Sequence, residues 1–176
     1  MERTTVDDEV DAVIAARRDA PRFVSAAASA WLAPFEQRLP FRLPPSFRSL
    51  VARYRFPAFL AGGANLFGNL DGKSYDDFVV ASIRDSALSA VAHARGFIQI
   101  GRPTSGGYDP ICFDLRHRSK SGEAGIVRLD HEEILVNDSI RTVEKVAASF
   151  LELLAREEPP NPALNATVGR GRPPAR

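Results

Sequence analysis

The stretches Phe97-Ile-Gln-Ile-Gly101, Gly107-Tyr-Asp-Pro-Ile-Cys-Phe-Asp-Leu115 and Gly125-Ile-Val-Arg-Leu-Asp-His131 decide the fold. Each is a short apolar run bounded by glycine, proline or aspartate, and in the second Ile111, Phe113 and Leu115 share one face. A period of two belongs to a strand, not a helix. Arg102 to Pro110 reads as a long loop between the first pair, and Ser119-Lys-Ser-Gly122 as a turn between the second. The three runs therefore predict an antiparallel meander.

Helical spacing surrounds it. Val6, Val10, Val13 and Ile14 fall on one face, with an acidic first turn and Arg17-Arg18 near the end, as the helix dipole favours. Pro21 stops this helix, and a second short one is expected over 22–32, burying Phe23, Ala27 and Trp31. Pro34 to Pro45 is too interrupted for one regular element. Pro45 suits a first helical turn, where its missing N–H has no partner to lose, and Phe47, Leu50, Val51 and Tyr54 follow at i, i+3, i+4 and i+7.

A glycine-rich turn from Ala61 leads to a short strand at Leu66-Phe67, and Asp71-Gly72 signals another turn. Tyr75 to Ala94 reads as a helix with a strand-like start at Phe78-Val79-Val80, stopped by Gly96. A long final helix is expected over 138–156, with Ile140, Val143, Ala147, Phe150, Leu151 and Leu154 as its apolar stripe. Beyond Glu158 the Pro- and Arg-rich chain has too little apolar content to pack, so disorder is expected there.

A length of 176 residues fits one domain with a core of its own. Hydrophobic residues make up 44% and the formal net charge is +1, which gives no global reason for a polyanion partner. Cys112 is the sole cysteine, so no intrachain disulfide forms and a reducing compartment is favoured. The acidic N-terminus is unlike a secretory signal, and no apolar run nears the roughly 20 residues that span a bilayer. The expectation is a cytoplasmic protein without a membrane or direct nucleic-acid partner.

Several pieces in order resemble the SUKH superfamily, which includes Smi/Knr cell-wall regulators and bacterial immunity proteins. Leu43-Pro-Pro-Ser-Phe-Arg-Ser-Leu-Val is similar to its opening helix, running on to Leu66-Phe67-Gly68. The three strand runs and the closing Ala148-Ser-Phe-Leu-Glu-Leu-Leu154 follow its order. Two positions depart from it: Tyr108 separates Gly107 from Asp109, and Leu129 stands where tryptophan is frequent before Asp-His. The resemblance implies an α+β fold, an antiparallel sheet flanked by helices, over residues 40–156. Residues 1–39 are then a helical extension and 157–176 a tail. It also implies a binding module without catalytic machinery or cofactor. Its partner would be a toxin domain of nuclease or deaminase type, or an endogenous protein if the chain is a regulatory scaffold.

Cys112, His131, Asp114 and Asp109 would make a nucleophilic set only if His131 reached the thiol with a carboxylate behind it. Cys112 alternates out of phase with Ile111 and Phe113, and a buried structural thiol is the commoner outcome. His93, His117 and His131 lack any spacing that suggests a zinc site. Gly62-Gly63 and Gly106-Gly107 fit turns better than anion cradles. Arg116, His117, Arg118 and Lys120 read as a solvated hairpin tip, and Arg170, Arg172 and Arg176 as a basic tail. The residues favoured for partner contact are Tyr108 and Asp109, before the second strand, and Asp130, His131, Glu132 and Glu133 at the end of the third. A carboxylate-rich edge suits a basic toxin domain; the alternative is that Asp109 and Asp130 cap turns through their own backbone.

Overall fold

The computed structural model describes residues 5–25, 32–70, 77–84 and 86–156. The chain opens with α1 (Val6–Ala16), a 3-10 turn (Ala20–Arg22), β1 (Val24–Ser25) and α2 (Leu32–Glu36). It continues through α3 (Pro45–Arg53), β2 (Tyr54–Arg55), β3 (Phe59–Ala61), β4 (Ala64–Leu66), α4 (Phe78–Arg84) and α5 (Ser86–Ala94). The last part is β5 (Phe97–Pro103), β6 (Ile111–Arg118), β7 (Ala124–Leu129), α6 (His131–Asn137), β8 (Thr142–Ala147) and α7 (Phe150–Ala155).

Strands β3 to β8 form one sheet in simple sequence order, every pair antiparallel. The expected meander is its centre, with Phe113 opposite Ile98 and Ile126, and Cys112 opposite Gln99 and Val127. Antiparallel strands need only short connections, which lets consecutive elements pair. The fold is thus α+β, as expected.

Both faces of the sheet are covered. On one, Ile98, Ile111, Phe113 and Ile126 meet α3 and α7 through Phe47, Leu50, Phe150 and Leu153. Phe47 sits edge-on to Phe78, Phe113 and Phe150, with ring centroids 4.8, 5.2 and 5.1 Å away. On the other face, Phe97, Cys112, Val127 and Leu129 pack with Leu88 and Ala92 of α5 and Ile134 of α6. Alternation along β6 thus feeds two cores at once.

Helix α1 packs on this body through Val10 and Ile14, both buried in the larger core. Thr5 caps it in a reciprocal box with Asp8. Asp11 accepts from Arg53 at 2.6 Å and from the Tyr54 hydroxyl at 2.7 Å, and Asp7 accepts from Ser49 Oγ at 2.5 Å.

Four expectations need correction. Residues 22–25 do not begin the helix expected over 22–32: Phe23 is buried, but Val24 and Ser25 extend and pair with Arg55 and Tyr54. Tyr54 accordingly ends α3 and joins β2. Phe78-Val79-Val80 is helix from its first residue, because the Asp77 carboxylate accepts from the Val79 and Val80 N–H groups. The long final helix is three elements, α6, β8 and α7, and Val143 lies exposed on an edge strand. The left-handed Asp138 (φ 49°) ends α6, and Ser149 starts α7 by accepting from the Glu152 N–H. Ala27, Trp31, Asp71-Gly72, Tyr75 and the tail lie outside the described residues.

Candidate partner-binding site

The six residues favoured for partner contact gather where the loop before β6 meets the start of α6. Two backbone hydrogen bonds fix that junction: Leu129 N–H to the Pro110 carbonyl (3.0 Å) and Asp130 N–H to the Arg141 carbonyl (2.9 Å). Asp130 is the N-cap of α6, its Oδ1 accepting from the Glu133 N–H at 3.0 Å. Its other oxygen pairs with Arg141. The hydrogen bond from Glu133, with Arg141 next, holds the Asp130 carboxyl below the usual carboxylate range.

Asp109 reaches across from the loop. Its Oδ1 lies 2.8 Å from His131 Nδ1 and accepts the His131 backbone N–H at 3.2 Å. Its Oδ2 stands 4.0 Å from Arg128 Nε, and Arg128 also meets Glu144 at 3.2 Å. Tyr108, largely exposed, sets its ring 5.8 Å from that of His131. Glu133 accepts from Ser139 Oγ (2.6 Å) and Asn137 Nδ2 (3.1 Å), and these bonds lower its pKa, the one from Ser139 most. Glu132 is exposed.

The structure therefore brings all six residues to one place but divides their labour. Asp109 and Asp130 are occupied in holding the junction, so two of the four carboxylates already have cationic partners. His131 begins α6 instead of ending the third strand. Asp109, Asp130 and His131 also converge closely enough to bracket a cation, one ligand atom from each lying within 4.8 Å of the others. A metal there would displace Arg141 from Asp130 and compete with Arg128 and the Asp109–His131 contact. This converging set contains neither His93 nor His117.

The nucleophilic set is not assembled. Cys112 is fully buried in the core between the sheet and α5, where burial pushes its thiol pKa up, while the His131 ring faces Asp109 and Tyr108. Asp114 is held by Arg116 at 2.8 and 2.7 Å. Arg116 also lies over the Phe97 ring, 4.4 Å from its centroid. In the hairpin tip, Arg118 donates to the Gly122 and Arg42 carbonyls. His93 is partly buried with no hydrogen bond to Nε2, and desolvation lowers its pKa. Gly62, Gly63 and Gly106 have positive φ, as turn glycines do, whereas Gly107 does not.

Sequence reasoning missed Arg128, Arg141, Leu135 and Val136. Ile134-Leu135-Val136 held the signal for the last two: three consecutive apolar residues on a helix cannot all face inward. Ile134 is buried, and Leu135 and Val136 are exposed.

Among the described residues no helix is long and apolar enough to cross a membrane. A comparison with curated proteins finds no match. The family model described as SMI1 / KNR4 family (SUKH-1) matches residues 26–156, which take in the six-stranded sheet, the smaller core and the junction of β7 with α6. The chain belongs to the SMI1 / KNR4 (SUKH-1) family.

Proposed function

We propose that this protein is a non-enzymatic binding module that acts as an immunity protein, neutralising a cognate toxin by occluding it. Family membership supports a module of the Smi1/Knr4 or immunity type. The observation that carries the non-catalytic reading is Cys112, a thiol with no exposed surface and a raised pKa, while the His131 that would have to activate it is bound through Nδ1 to Asp109. Partner contact is assigned to the surface around Tyr108, Asp109, Asp130, His131, Glu132 and Glu133. Its carboxylates favour a basic toxin domain, of nuclease or deaminase type, in the cytoplasm of a bacterium. No cofactor is required. Affinity capture of the tagged chain from its native cells, with mass spectrometry of what binds, tests this. One stoichiometric partner carrying a toxin domain is expected, and co-expression rescue of the poisoned cells should follow. Recovery of house-keeping proteins instead would move the chain to the regulatory-scaffold branch of the same family.

A further inference from the structure

We propose that the partner is gripped by the solvent face of α6, with Val136 and Leu135 as apolar anchors, Glu132 as the charge that faces it, and Tyr108 at the rim. This rests on the binding-module reading and deepens it, because the anchors lie outside the acidic set that the sequence suggested.

The argument begins with exposure. Leu135 is 54% exposed, Val136 78% and Tyr108 69%. A seven-residue helix that buries Ile134 alone leaves two large apolar side chains in water. Single exposed apolar residues need no account, but adjoining ones with an aromatic nearby mark interaction surfaces. Glu132, Leu135 and Val136 stand at i, i+3 and i+4, so they share one face. Leu135 is one turn beyond His131, whose ring borders Tyr108 at 5.8 Å. The four side chains therefore line one continuous strip.

The surrounding charges choose the occupant. Asp130 pairs with Arg141, and Asp109 meets His131 at 2.8 Å with Arg128 4.0 Å away, so these two are engaged within the fold. Glu133 binds neutral donors, Ser139 and Asn137, and keeps its charge. Among the described residues Glu132 and Asp138 form no ion pair. The strip is thus apolar at its centre and negative at its margin. A second copy of this chain would bring the same carboxylates together and be repelled. The complementary occupant is a basic protein surface that seats an apolar or aromatic side chain against Val136 and Leu135, with lysine or arginine opposite Glu132. The same junction that engages Asp109 and Asp130 fixes the angle at which α6 presents this strip.

The test is to purify the partner recovered by the tagged full chain and measure its affinity for the wild-type protein, Val136→Asp, Glu132→Lys and the hairpin-tip control Lys120→Glu. All three substituted residues are exposed, so thermal midpoints should match the wild type. Val136→Asp and Glu132→Lys should each weaken binding about tenfold or more, and Lys120→Glu should not. Wild-type affinity should fall as salt rises, and Glu132→Lys should flatten that dependence. As a check that does not rely on affinity, a photo-crosslinking amino acid at 136 should trap the partner, and one at 120 should not. If the partner binds Val136→Asp and Glu132→Lys within twofold of wild type, the α6 assignment is overturned while the binding-module reading stands. If the wild-type chain recovers no partner, both fall together.

Discussion

Asp109 holds His131 twice: one carboxylate oxygen lies 2.8 Å from Nδ1 and accepts the backbone N–H at 3.2 Å. The two residues are 22 positions apart, and this clasp joins the loop before β6 to the first turn of α6. Removing the carboxylate leaves a partly buried N–H unsatisfied. Asp109→Ala should cost about 2 kcal/mol in urea denaturation. Exchange of the His131 amide should accelerate, and Asp109→Asn, which keeps an acceptor, should recover part of the loss. An unchanged stability and amide would mean the clasp does not order the junction.

Arg17 ties the end of α1 to α7 and β3. It is buried, ion-paired with Asp19 at 2.7 Å, and donates to the Leu154 carbonyl of α7 at 2.6 Å and the Leu60 carbonyl of β3 at 2.9 Å. Its guanidinium also lies 5.0 Å from the Phe59 ring centroid. Arg17→Ala would strand these acceptors, so a loss of about 3 kcal/mol is expected. Arg17→Lys should not restore it, since an ammonium cannot reach acceptors in three directions as a planar fork does. Thermal or urea unfolding of the two variants checks both statements.

Cys112 should behave as a core residue. A thiol-specific reagent should modify it only as fast as the native protein unfolds. Cys112→Ser should leave partner neutralisation intact while lowering stability, because it places a hydroxyl in an apolar core. Rapid labelling of the native protein, or loss of neutralisation in a folded Cys112→Ser variant, would reopen a nucleophilic role.

The acid limb of the stability curve should steepen through identifiable carboxylates. Asp114 is lowered by its hydrogen bonds with Arg116, Asp130 chiefly by the Glu133 N–H, and Glu133 chiefly by Ser139. Each folded pKa lies below the unfolded value, so the folded state binds fewer protons. Their stabilisation is therefore fully present above the ordinary carboxylate range and is lost as pH falls through the folded values. Urea midpoints measured from about pH 7 down to about pH 3 should fall, and Asp130→Asn combined with Glu133→Gln should fall less steeply.

What was legible in the sequence was whatever a local period fixes. The strands β5, β6 and β7 were readable because each alternates or runs apolar between breakers, and α1 and α3 because their spacing is helical over several turns. The helix expected over 138–156 failed for a physical reason. Ile140, Val143, Ala147, Phe150 and Leu154 satisfy a helical period by coincidence, while the breaks lie in polar residues: Asp138 in the left-handed conformation and Ser149 as a cap. Asp130 and Ser149 each stand three residues before a glutamate, a spacing that announces a helix start when read by itself. The site was legible as a cluster but not as a division of roles. Nothing local shows that Arg128 and Arg141 approach Asp109 and Asp130, since these contacts depend on how β7, β8 and the preceding loop come together.

The measurement that tests the central claim most directly is a titration of the purified chain against the catalytic activity of the toxin domain it captures. Occlusion predicts that activity falls linearly and ends at about one equivalent, with Cys112→Ser giving the same line. Loss of toxin activity at far less than one equivalent, or a Cys112→Ser line that stays flat, would contradict it, because only a catalyst can inactivate many partners per molecule.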